Sequence, residues 1–329
     1  MTSPDLPAEL KSALDSKLHG IPRSDAAQRS AVISQTYRSG GGSSVIRDGS
    51  DALAYALARM PATYAAVTAS LNAFTATRPD FSPTSLLDCG AGPGTATWAA
   101  AQAFDTLTSF ALVDANPALR NLALDLAKDS YRLKAIDYTL GDAGTKMKLA
   151  EPADLVIVSY VINELDDAKR RQLIDLAWSK TLDTLVIIEP GTPAGWQRIL
   201  DARGQLIAQD AHVIAPCPHD RACPLNPPDW CHFTQRLQRS RAHMALKGAE
   251  LPYEDEKYSY VALSRRSAPV RPARVLTQPD VSKVAVTAKL CTADGVIASV
   301  TPKRDKPAYT RFRKLNWGDA VFARERSGE

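Results

Sequence analysis

The sequence predicts an α/β protein, a doubly wound parallel sheet with a helical region before it and a small all-β domain after it. Three observations carry this. Short apolar runs alternate with amphipathic helical runs between Ser85 and Gly191; Ala-rich periodic stretches precede them; and from about residue 270 short β-prone runs are separated by turns. The expected organisation is a helical region over 1–80, an α/β domain over 81–266 with a cysteine-rich loop at 212–233, and a basic β domain over 267–329.

In chain order, DALAYALARM and ATYAAVTASLNAF have helical periodicity. The break before them, YRSGGGSS at 37–44, is a linker whose glycines and Arg38 offer a weaker second reading as a phosphate cradle. SLLDCGAGPGTATWAAAQAF reads as strand, glycine turn and helix, and SFALVDANPALRNLALDLAKD as the next strand and helix. IDYTLGDA supplies a third strand. ADLVIVSYVINEL supplies a fourth, with the continuous apolar run of a strand buried on both faces. DAKRRQLIDLAWSKT is amphipathic and helical, LDTLVIIEPG is a fifth strand, and KYSYVALSRR is a late strand of the same sheet. ARVLTQP, KVAVTAKLCT, GVIASVTPK and AYTRFRKLNWGD read as the strands of the tail.

The turn DCGAGPG places Gly90, Gly92 and Gly94 where the backbone must bend tightly and approach a ligand without Cβ interference. The G-x-G-x-G spacing differs from the G-x-G-x-x-G of dinucleotide sites, and Asp88 stands where a carboxylate meets a ligand's amino group. Asp114 closes the second strand, positioned to accept from two ribose hydroxyls, and Asp142 closes the third, positioned for an adenine amino group. Helix capping competes as an explanation, most strongly for Asp142. The region resembles the Rossmann-like class I S-adenosylmethionine-dependent methyltransferases. That resemblance implies S-adenosyl-L-methionine as cofactor more firmly than it implies catalysis. The fourth strand ends in SYVINEL and not in an N-P-P-Y type motif; the Asn226-Pro227-Pro228 run lies elsewhere, and Asn163 and Glu164 serve equally well as strand-end caps. No general base can be named.

CPHDRACPLNPPDWCHF, at 217–233, concentrates three of the five cysteines in a segment too rich in proline for a helix or central strand. Cys217, Cys223 and Cys231 are spaced C-x5-C-x7-C, Cys291 in AKLCTADG is a plausible fourth ligand, and Cys89 lies in the glycine turn as a packing residue. These spacings are wider than zinc knuckles, and irregular spacing with Pro beside Cys suits an iron–sulfur cluster. By chemistry alone the two metals divide evenly, with His212, His219 and His232 as substitutes in a mixed zinc site.

ARMPATY at 58–64, DCGAGPG, EPGTPAG at 189–195, CPHDRACPL with WCHF, and KLC with WGD together resemble the methyltransferase-like small-ribosomal-subunit assembly proteins, known from mitochondria and with bacterial relatives. The resemblance covers most of the chain from about residue 30. It implies a 4Fe–4S cluster on Cys217, Cys223, Cys231 and Cys291, and association with small-subunit ribosomal RNA. Whether a methyl group is transferred is left open by it.

Charge agrees with a polyanionic partner. From Arg265 to Glu329 there are 14 Lys plus Arg against 6 Asp plus Glu, so this tail carries +8 of a total of +4 and the rest about −4. Lys303, Arg304, Lys306, Arg311, Arg313 and Lys314 are the candidate phosphate contacts, interleaved with Tyr309, Phe312 and Trp317 as stacking residues. Inward packing in a strand is the preferred reading for Phe312. The acidic N-terminus, without an apolar signal core or an Arg-rich presequence, leads to the expectation of a cytoplasmic protein. No stretch is long and apolar enough to suggest a membrane span, and the protein is expected to be monomeric off the ribosome.

Overall fold

The computed structural model describes residues 1–17, 23–38, 41–240, 243–244 and 247–322. The apolar runs form one eight-stranded sheet in the order β3-β2-β1-β4-β5-β8-β6, with β7 paired to β8 outside that path. Its strands are β1 (Ser85–Cys89), β2 (Ser109–Asp114), β3 (Asp137–Leu140), β4 (Ala153–Ser159), β5 (Thr181–Pro190), β6 (His212–Ala215), β7 (Phe233–Gln238) and β8 (Tyr253–Ser264). The first five pair in parallel; β8 runs antiparallel to β5, β6 and β7. Leu87 sits opposite both Ala111 and Val156, and β1 is the middle one of the five parallel strands.

The helical N-terminus comprises α1 (Ala8–Lys17), α2 (Arg23–Arg38) and α3 (Gly49–Thr75). Helix α3, with Pro61 inside it, packs on α4 (Thr95–Ala103), α5 (Pro117–Ala127) and β8. Arg59 on this helix is paired with Glu256 on β8 at 3.0 Å, so the helical region is fastened to the sheet by charge as well as by apolar packing. The opposite face is covered by α6 (Ala143–Lys146), α7 (Asp167–Ser179) and α8 (Pro193–Ile207). Asn116, Asp166 and Thr192 cap α5, α7 and α8, each accepting from a backbone N–H of its first turn. Within EPGTPAG, a Cβ at Gly195 would collide with the Pro190 carbonyl, and one at Gly191 would stand 2.6 Å from the Tyr258 backbone nitrogen. Both glycines therefore answer to close backbone approach.

The tail is a five-stranded antiparallel sheet with its own core of Val275, Val286, Ala288, Leu290 and Phe312. Its strands are β9 (Ala273–Val275), β10 (Asp280–Val281), β11 (Ala285–Thr292), β12 (Gly295–Pro302) and β13 (Ala320–Val321). One expectation is corrected here. AYTRFRKL is not a strand, because Lys306–Phe312 forms helix α9, so the tail is not all-β. Asp305 caps that helix by accepting from Ala308 N at 3.2 Å and Pro307 occupies its first turn, a start signal that outweighs the local alternation of aromatic and basic residues. No helix among the described residues is long and apolar enough to cross a membrane.

Candidate cofactor and metal sites

The glycine turn follows β1 directly. Gly90, Gly92 and Gly94 have φ of 69°, 53° and 81°, a region that side chains beyond glycine rarely adopt. Gly90 N and Ala91 N donate to the Val113 carbonyl at 2.8 and 3.1 Å, folding the turn back on β2, and a Cβ on Gly90 would collide with Val161 beyond β4.

Asp88 is fully buried. Its Oδ2 accepts from Thr97 N and Oγ1 at 3.0 and 2.7 Å, while Oδ1 is buried with no partner. Burial pushes its carboxyl up to about 7, against the Thr97 hydrogen bonds and with a small push from Asp114. A buried acceptor left over is the feature that a cofactor's ammonium group would satisfy. Asp114 accepts from Asn116 N at 2.7 Å and Gly92 N at 2.9 Å, and burial raises it too. Asp142 is exposed and caps α6 through Thr145 N at 3.0 Å, the competing role foreseen for it.

Asp88 gives a pH prediction. Its folded pKa lies above the ordinary 3.8, so its contribution to stability is complete at low pH and is lost as pH rises through about 7. Asp88→Asn removes that dependence. The variant should gain stability over the wild type between pH 5 and pH 8, by at most on the order of 3 kcal/mol. Thermal denaturation at both pH values reads this; a difference that does not change with pH contradicts the assignment.

Glu164, which the sequence placed at this strand end, and residues that sequence reading missed complete this edge. The segment Ser43–Ile46 crosses the ends of β2 and β4: Asn116 Nδ2 donates to the Ser43 and Ile46 carbonyls, both at 2.9 Å, and Ser43 N donates to Glu164 at 3.3 Å. Burial lifts Glu164 to about 7. That carboxylate stands against Gly42, so the described part of the glycine linker is a strap; Ser39, Gly40 and the Arg38 side chain of the phosphate-cradle reading lie outside the described residues. Tyr160 has a φ of 57° and donates to Glu256 at 3.0 Å, a strained conformation just past β4. Glu189, fully buried on β5, pairs with Arg198 at 2.6 Å, and burial raises it to about 7.

The second site lies between α8 and the tail sheet. Cys217, Cys223, Cys231 and Cys291 are free thiols lining one largely apolar cavity with His219, Tyr260, Arg203 and Arg274. Three come from the loop that follows β6 and the fourth from β11. Burial pushes Cys217, Cys231 and Cys291 upward, and neighbouring cysteines add to it at all three. Among the described residues no group of three or more His, Cys, Asp or Glu is arranged to hold a metal ion. The donor set nevertheless fits a thiolate-bound centre: four sulfurs, three from the loop and one from the tail sheet, share a cavity with two buried guanidinium groups. His219 lines this cavity, His232 is stacked on Trp230 at 4.7 Å, and His212 lies near Asp220 at 3.9 Å. Trp230 donates to the Gly191 carbonyl, and Trp317 meets His232 edge-on at 4.6 Å. Gly318, φ 94°, lets Phe233 approach within 3.2 Å of where a Cβ would be. These contacts join EPGTPAG, WCHF and WGD around one centre.

The six candidate phosphate contacts, Lys303, Arg304, Lys306, Arg311, Arg313 and Lys314, are all exposed, and none forms an ion pair with a described residue. The aromatics between them are turned inward: Phe312 is buried, Tyr309 donates to the Ser282 carbonyl, and Trp317 packs on His232.

A parallel sheet of this order, with a glycine turn after its central strand and an antiparallel strand beyond the fifth, defines a class I methyltransferase-like fold. The chain belongs to the Rsm22 family: the family model described as mitochondrial small ribosomal subunit Rsm22 matches residues 49–322. It is 31% identical over 289 residues to the human mitochondrial ribosome assembly protein METTL17, covering 82% of this chain and 62% of the relative. It is 26% identical over 327 residues to the mitochondrial Rsm22-cox11 tandem protein 2 of Schizosaccharomyces pombe, covering 81% of this chain and 42% of the relative. The chain thus spans less than two thirds of either. Among solved structures, the Synechocystis magnesium protoporphyrin IX methyltransferase with bound SAH is 11% identical at a TM-score of 0.40, over 62% of this chain and 84% of that one. An O-methyltransferase family protein of Burkholderia thailandensis is 14% identical at 0.43, over 68% and 61%. The relatives also correct the compartment. They are named mitochondrial, against the cytoplasmic expectation. That expectation had rested on the composition of the N-terminal stretch alone.

Proposed function

We propose that this chain is an assembly factor for the small ribosomal subunit that binds S-adenosylmethionine at the glycine turn, a 4Fe–4S cluster at the four cysteines, and ribosomal RNA through its basic tail. The observation that carries the reading is the convergence of Cys217, Cys223 and Cys231 with Cys291 of the tail sheet on one cavity. Four thiolates on one zinc ion need neighbouring sulfurs within about 4 Å. A cluster takes one thiolate to each iron and holds the sulfurs further apart, and the C-x5-C-x7-C spacing with Pro beside Cys suits it. When bound, the cluster would supply the bond that links the loop to the tail domain.

At the other site Asp88 would receive the cofactor's ammonium and Asp114 its ribose hydroxyls, once Asp114 releases Gly92 N. Asp142 would face the adenine. Calorimetry of S-adenosylmethionine on the holo-protein should show binding that Asp114→Asn weakens by about tenfold or more, since hydrogen bonds to a charged acceptor contribute about 1.5–3 kcal/mol. Equal affinity in the variant contradicts the cofactor assignment. Labelled methyl groups offered with assembly-intermediate subunits separate an rRNA methyltransferase from a factor that uses the fold for binding.

A further inference from the structure

Arg203 and Arg274 are only 5% and 2% exposed, and neither is paired with a carboxylate among the described residues. Their hydrogen bonds go to neutral backbone carbonyls, and Arg203 also reaches the Cys217 thiol. Arg203 Nη2 donates to His219 and Arg221 at 2.8 and 2.7 Å, and its Nε has no partner. Arg274 donates from Nε to Pro216 at 3.3 Å and from Nη1 to Gly318 at 3.0 Å. Removing a guanidinium from water without a countercharge costs several kcal/mol. Two such groups in one cavity call for an anion there.

We infer that Arg203 and Arg274 are the countercharges of the four-cysteine centre, one supplied by each domain, and that they hold its net negative charge in place. This rests on reading the cysteines as metal ligands. Four thiolates around a core of charge +2, whether an oxidised 4Fe–4S core or one zinc ion, leave two negative charges, and the two guanidinium groups neutralise them. The placement is specific. Arg203 on α8 grips the loop at 219 and 221, between Cys217 and Cys223, and Arg274 on β9 grips residue 216, next to Cys217. They are positioning residues, because they act through the thiolates and not as ligands.

The test uses full-length holo-protein purified without oxygen, as wild type and as Arg203→Gln, Arg274→Gln, Arg203→Lys and Arg274→Lys. Metal content is measured first, then the rate of metal loss to a chelator, and for an iron centre the midpoint potential. The Gln variants should lose metal about 10- to 100-fold faster, the range for partners that support first ligands. They should also shift the potential to more negative values, because a lost positive charge disfavours the added electron. The Lys variants, which keep the charge and lose the fork, should stay near wild type in both. If the Lys variants fail as the Gln variants do, the arginines are hydrogen-bond scaffolding and the inference is overturned. Gln variants that keep metal and potential unchanged overturn it as well, while the metal reading stands. A wild type without metal overturns that reading and this inference with it.

Discussion

Cys291→Ser should release the tail domain. Cys291 is the one proposed ligand on the tail sheet, paired between Val296 of β12 and Arg274 of β9. Cys291 is 8% exposed, and without a metal the exchange would cost only about 1–3 kcal/mol for a buried hydroxyl, borne within the tail sheet. With a centre bound, binding energy is folding energy, and losing one of four ligands takes away the link between loop and tail. The expected readout is trypsin cleavage after Arg266, in the exposed segment between β8 and β9, at least about tenfold faster than in wild-type holo-protein, because proteolysis follows the population of the opened state. Cleavage at an unchanged rate would mean that the tail is held by its other contacts, such as Lys289 with Asp229 at 2.6 Å and Trp317 against His232.

Replacing Lys303, Arg304, Lys306, Arg311, Arg313 and Lys314 by Gln should abolish most RNA affinity while leaving the fold intact. All six side chains are exposed and form no ion pair with a described residue, so their removal costs the tail little stability. If each meets one phosphate, the slope of log affinity against log salt should flatten by about 4 for single-stranded RNA. Affinity near physiological salt should fall by on the order of a hundredfold or more. Filter binding with small-subunit rRNA across a salt series reads both. An unchanged slope would move the RNA contact off this surface. Because Phe312, Tyr309 and Trp317 pack inward, RNA bound here would be held by charge, with little base stacking.

The elements that sequence made legible are those set by local chemistry. Alternation of apolar strands with helices gave the sheet, and DCGAGPG gave a turn whose three glycines adopt positive φ. The cysteine spacing pointed to a shared centre because few other roles explain three thiols in a proline-rich loop. Long-range partnerships were not legible. Nothing near Arg203 or Arg274 in the chain announces that both are buried beside cysteines, and Arg59, Tyr160 and Glu256 meet only through the fold. The strand assigned to 306–312 failed for a local reason, since its aromatic alternation also fits an i, i+3 pair, Tyr309 and Phe312, on a capped helix.

The account rests on the metal centre, and one measurement reaches it directly: iron and acid-labile sulfide, with a visible spectrum, on protein purified without oxygen. The predicted result is about four irons and four sulfides per chain, both lost in Cys223→Ser. One zinc with no sulfide, or no metal at all, would contradict it.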